Sequence, residues 1–112
     1  MKPFKSIQKH CLAKPGAVED EPWPGDIVWK VKGKIFAMGG QTGVTVKSTP
    51  ERQAVLTMHP KISKAAYVGR FGWVRVDIEN KEDLETALDL IDESYDLITS
   101  PKRPKKSPGK SR

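Results

Sequence analysis

A single cysteine, Cys11, occurs in the 112 residues, so no intramolecular disulfide can form and no Cys-x-x-Cys pair can hold a metal. Histidine is nearly as scarce. His10 and His59 stand far apart, and neither lies in a recognisable motif. His10 adjoins Cys11, and neighbours on a helix point about 100° apart, a poor arrangement for sharing an ion. Long hydrophobic runs are missing too. Nothing approaches the roughly 18 apolar residues that span a bilayer. Met1-Lys2-Pro3-Phe4-Lys5 lacks the apolar stretch of a signal peptide. These absences lead us to expect a cytoplasmic protein without a membrane partner. No nucleophile, base and acid share a motif, so neither an enzyme nor a metal or other cofactor is expected.

Hydrophobic residues make up 37% of the chain, enough for one modest core. Residues 1–100 read as a single domain and residues 101–112 as a disordered basic tail. The net charge of +6 has a definite distribution. Residues 101–112 carry six bases and no acid. Residues 1–78 hold 13 bases and 6 acids, whereas residues 79–100 hold 1 base and 8 acids. A basic body, an acidic last element and a basic tail therefore follow one another.

Phe4, Ile7, Cys11 and Leu12 share one helical face, and Pro15 ends that helix. Residues 15–26, with three prolines and two glycines, read as a loop. Residues 27–31 and 34–38 form a hairpin about Lys32-Gly33. Gly39-Gly40-Gln41-Thr42-Gly43 then turns into a third strand at 44–47. Thr49 caps a short helix that opens on Pro50 and runs to about Met58. Residues 65–68 and 71–78 are the last strands, with Val74, Val76 and Ile78 inward and Trp73, Arg75 and Asp77 outward. Asn80 caps a long helix whose apolar stripe runs through Leu84, Ala87, Leu88, Ile91, Tyr95 and Ile98. This order predicts an α+β fold, an antiparallel β-sheet with helices packed on one face.

The glycine-rich turn at 39–43 lacks the Gly-Lys-Ser/Thr ending of a phosphate loop and reads as a hairpin turn. Arg70-Phe71-Gly72-Trp73-Val74-Arg75-Val76 falls one glycine short of an RNA-recognition signature, and the element order differs from that fold. The acids of the last helix are spread over a helical surface, which suits solvation better than metal binding. The outward sheet face is more suggestive. Trp73 and Arg75 share it with Lys30 and Lys47; cations neutralise phosphates, and an aromatic ring stacks or wedges. The plain alternative has Trp73 packed under the proline-rich loop and the charges solvated. In the tail, Ser100-Pro101-Lys102-Arg103 has the Ser-Pro-basic-basic form of histone-like tails, and Lys105 and Lys106 extend the charge. A solubilising terminus is the plain alternative there.

Five stretches occur in a telling order: Lys14-Pro15-Gly16-Ala17-Val18-Glu19; Trp29-Lys30-Val31 with Gly33-Lys34-Ile35-Phe36-Ala37; His59-Pro60; Tyr67-Val68-Gly69-Arg70-Phe71-Gly72-Trp73-Val74; and Leu88 with Leu90-Ile91 and Glu93-Ser94-Tyr95. In this combination the chain resembles the MmcQ/YjbR family over about residues 4–99. The resemblance implies a fold similar to that of CyaY, the bacterial frataxin, with DNA binding through a double wing. It also raises frataxin-like iron binding, against which the acid-free first helix counts. Family members often carry Asn-Lys-x-His-Trp before the last strand. This chain has Gly69-Arg70-Phe71-Gly72-Trp73, keeping the base and the tryptophan and losing the Asn and His.

The expectation is a monomeric, non-catalytic, weakly sequence-selective DNA-binding protein, cytoplasmic or at the nucleoid. It would use Lys30, Lys47, Arg70, Trp73 and Arg75 on the domain and Lys102, Arg103, Lys105 and Lys106 in the tail. The alternative is a protein-interaction or small-ligand adaptor, working through a pocket between the Trp23 loop and the sheet or through the acidic last helix.

Overall fold

The computed structural model describes residues 2–66 and 69–100, Arg70 by its backbone alone. The basic tail, Tyr67 and Val68 lie outside the described residues. The strands are β1 Val18–Trp23, β2 Asp26–Val31, β3 Lys34–Gly39, β4 Gly43–Val46, β5 Ile62–Lys64 and β6 Val74–Asp77. They form one antiparallel sheet in the order β1-β2-β3-β4-β6-β5. Helices α1 Phe4–Leu12 and α3 Lys81–Thr99 cover one face, and α2 Pro50–Leu56 sits at the β5 end. The α+β architecture expected from the sequence is the one that forms. No helix among the described residues is long and apolar enough to cross a membrane.

Alternation decides which residues enter the core. Trp29 and Val31 on β2, Val44 and Val46 on β4, and Val74 and Val76 on β6 point toward the helices and are buried there. Ile7 and Cys11 of α1 and Ala87, Leu90 and Ile91 of α3 meet them. β3 breaks the alternation. Trp29 pairs with Ala37 but Lys30 pairs with Ile35, so Phe36 is the extra residue of a β-bulge. The bulge lets the consecutive residues Phe36 and Ala37 both enter the core.

One buried hydroxyl secures that irregularity. Ser94 of α3, fully buried, donates to the Phe36 carbonyl at 2.6 Å and accepts the Lys47 N–H at 3.0 Å. Replacing Ser94 by alanine strands both backbone groups away from water. We expect a loss of about 1–3 kcal/mol in urea unfolding, the usual cost of a buried unsatisfied polar group.

Helix ends follow their local chemistry. Thr49 Oγ1 accepts the Arg52 N–H at 3.1 Å, and Asn80 Oδ1 accepts the Asp83 N–H at 2.9 Å. Asp83 in turn receives the Lys61 ammonium at 2.7 Å and the Glu79 N–H at 3.0 Å. The Lys61 hydrogen bond, helped by that backbone N–H, holds the Asp83 carboxyl below the usual carboxylate range. A lowered carboxyl adds stability that is complete above its unfolded pKa and disappears as pH falls through the folded value. Asp83→Asn should therefore melt below the parent at neutral pH. The gap in Tm should close as pH falls below about 4.

The structure corrects four expectations. Residues 18–23 are not loop but edge strand β1, which pairs Val18 with Lys30, Glu19 with Trp29 and Asp20 with Val28. All six of its residues are exposed, so no burial period marks it, and the ladder to β2 makes it a strand. The strand expected at 65–68 lies earlier, at Ile62–Lys64, because Ile62 is the residue that pairs with Val76 and enters the core. The strand expected at 71–78 is shorter, Val74–Asp77, because a 3-10 turn at Gly69–Phe71 occupies its start. Finally, α2 stops at Leu56, two residues early, with Met58 and His59 in turns.

Candidate nucleic-acid interface

Because the helices gather on one side, no helix among the described residues covers the other side of the sheet. The residues facing it follow from register: Val28 opposite Met38, Met38 opposite Thr45 and Thr45 opposite Arg75. Lys30 lies opposite Ile35 in the next row. Lys47 and Trp73, flanking the Val46–Val74 pair, end their strands side by side.

The structure brings three of the expected residues together. The Lys47 ammonium lies 5.8 Å from the centroid of the Trp73 ring, close enough for a cation–π contact. Lys47 has no carboxylate partner among the described residues. Arg75, two residues beyond Trp73, donates to Asp77 at 2.9 Å and to Thr42 Oγ1 at 3.0 Å. Its charge is partly answered already. Lys30 stands apart on β2 and pairs with Asp20 at 3.1 Å. The Arg70 side chain and the four tail residues Lys102, Arg103, Lys105 and Lys106 lie outside the described residues.

Trp73 is not covered by the 15–26 segment, which runs along the opposite edge of the sheet as β1. It borders a hollow of about 470 Å³ shared with Lys47, Ile35 and, from the end of α3, Leu97 and Ile98. Its backbone is held from behind. Buried Gln53 of α2 donates one amide proton to the Trp73 carbonyl at 2.8 Å and another to the Gly69 carbonyl at 2.6 Å. Gln53 was not singled out from the sequence, where it reads as one polar residue on a short helix.

A second hollow, of about 350 Å³, lies across the same face. Trp23, Pro22, Val28, Ile35 and Met38 give it an apolar lining, with Asp26 at its rim. Trp23 is 67% exposed, the largest aromatic surface on the described face. The open side thus has two halves, a cationic one around Lys47, Trp73 and Arg75 and an acidic, apolar one around Trp23. The remaining candidates fall away from this side. The 39–43 turn closes on itself through the Gly40 N–H and the Gly43 carbonyl at 2.6 Å, as a hairpin turn does. The α3 acids Asp92 and Glu93 pair with His10 and Lys14 and with Arg52 on the helical side.

The YjbR family model matches residues 12–97, most of the chain and all six strands. The chain belongs to the YjbR family. This agrees with the resemblance seen in the sequence. In fold, the YjbR chain is also similar to a crystal structure of a protein from Pseudomonas syringae. The TM-score is 0.61 at 16% identity, over 80% of this chain and 97% of that one. Comparison with curated proteins finds no match.

Proposed function

We propose that this YjbR protein is a monomeric, non-catalytic DNA-binding module of the cytoplasm, weakly selective for sequence. The reading rests on one observation. The sheet face that no described helix covers has Lys47, free of any carboxylate among the described residues, against Trp73 and beside Arg75. The cations meet the phosphate backbone, which carries no base information, and the half-buried indole is the aromatic surface beside them that can stack or wedge. Two of the α3 acids, Asp92 and Glu93, are already answered by His10, Lys14 and Arg52. The six tail bases add non-specific attraction. Cys11 suits no catalytic part, since burial pushes its thiol up to about 12 and keeps it protonated.

The test is fluorescence anisotropy with a labelled duplex at rising salt, for the full chain and for residues 1–100. Binding by the full chain should weaken steeply with salt. Lys47→Ala and Arg75→Ala should each lower the slope of log K against log salt by about 1. No binding by the full chain at low salt ends the reading. Binding by the full chain but not by residues 1–100 removes the sheet face from it.

The Trp23 hollow favours a second reading, an adaptor that takes a peptide or small ligand against the acidic half of the face. Co-purification at low salt after nuclease treatment separates the two, by retained protein or ligand against retained oligonucleotide.

A further inference from the structure

We infer that the Trp23 hollow is a docking site for a basic, proline-rich extended segment, and that its occupant is residues 101–108 of the same chain. The hollow is aromatic and apolar, with Trp23 two-thirds exposed above Pro22, Ile35 and Met38. Its surroundings are acidic. Residues 15–29 contain four acids, Glu19, Asp20, Glu21 and Asp26, and no base. Asp20, opposite Val28, holds Lys30 at 3.1 Å, and Glu21 accepts the Gly25 N–H at 2.7 Å. Asp26 at the rim has no side-chain partner among the described residues.

Residues 101–108 read Pro-Lys-Arg-Pro-Lys-Lys-Ser-Pro, three prolines and four bases without an acid. Prolines favour the polyproline II form, which loses little entropy on docking into aromatic-lined grooves. The bases match the acidic rim in sign. The path is short as well. Leu97 and Ile98, just before the segment, line the Trp73 hollow, and Ile35 lines both hollows. From β3 to β1 is two strand spacings, about 10 Å. Eight residues of polyproline II cover about 25 Å. Eight residues are therefore long enough to reach, from the end of α3, the Trp23 hollow, where the unpaired carboxylate is Asp26. This contact needs no nucleic acid and stands or falls apart from the DNA-binding reading.

Paramagnetic NMR on the nuclease-treated full chain tests it. A nitroxide is attached at Ser107→Cys; Cys11 is fully buried with its thiol pushed up to about 12, so the probe reacts at the new cysteine. We expect loss of the Trp23, Asp26 and Val28 amide signals while the nitroxide is oxidised and their return on its reduction. With Lys105→Glu and Lys106→Glu added, the signals should persist throughout. Signal loss confined to residues 93–100, around the root of the segment, overturns the proposal. So does equal loss at Trp23 when isotope-labelled chains without nitroxide are mixed with nitroxide-bearing chains, because the occupant is then a second copy.

Discussion

Gly72→Ala should destabilise the domain by about 2–6 kcal/mol, out of proportion to one added methyl group. Two costs combine. Gly72 has φ +96°, where an L side chain is strained by about 1–3 kcal/mol. A Cβ there would also lie 2.6 Å from the Ser48 carbonyl oxygen and 2.9 Å from the Thr49 carbonyl carbon. Those atoms are backbone just ahead of α2 and cannot rotate away, so overpacking adds about 1–3 kcal/mol more. Gly33→Ala is the matched control. Gly33 also has positive φ, +77°, but nothing lies within 4 Å of a Cβ there, so only the conformational cost remains. Urea unfolding should place Gly72→Ala well below Gly33→Ala. Equal losses would show that the close approach of the Gly72 backbone to Ser48 and Thr49 contributes nothing. The variant also bears on the proposed interface, because Gly72 adjoins Trp73 and lies within the segment that Gln53 holds. Displacing that segment should weaken duplex binding by the fraction that remains folded.

Trp29→Ala should cost about 3–5 kcal/mol, the range for deleting a large buried aromatic side chain. Trp29 has no solvent exposure and meets the Phe4 ring at 5.9 Å between centroids. Its ring edge would stand 3.2 Å from a Cβ at Gly40, so α1 and the 39–43 turn both close on it. Its indole N–H donates to Glu19 at 3.0 Å, which ties the core to edge strand β1. Against a typical total of about 5–15 kcal/mol, such a loss leaves a domain of this size marginal. Denaturant titration followed by far-UV circular dichroism reads it directly. A loss under 1 kcal/mol would mean that Trp29 is not the keystone between α1 and the sheet. Trp29→Phe, which keeps most of the volume and gives up the hydrogen bond to Glu19, should fall between the parent and Trp29→Ala.

Much of the fold was legible in the chain because its signals are local. The helical face of Phe4, Ile7, Cys11 and Leu12, the Lys32-Gly33 hairpin and the caps at Thr49 and Asn80 each depend on residues within a few positions of one another. The inward row Val74, Val76 and Ile78 is equally local, and so is the charge count that separates the acidic α3 from the basic segments around it. Family membership was legible for a related reason, since short motifs in a fixed order survive without any knowledge of contacts.

Other features have no local signal. β1 shows no period, because an edge strand exposed on every residue is held by its ladder to β2. The bulge at Phe36 exists only in pairing, and the hydroxyl that secures it comes from a residue 58 positions away. Gln53 supports Trp73 across 20 positions. The candidate interface divides along the same line. Outward alternation alone placed Lys30, Lys47, Trp73 and Arg75 on one face. Only strand order and ion pairing gathered Lys47, Trp73 and Arg75 into a cationic half and left Lys30 bound to Asp20 in the acidic half beside Trp23. Which face a residue points to is set by its own strand. Which charges remain free on that face is set by neighbours that the fold brings from elsewhere.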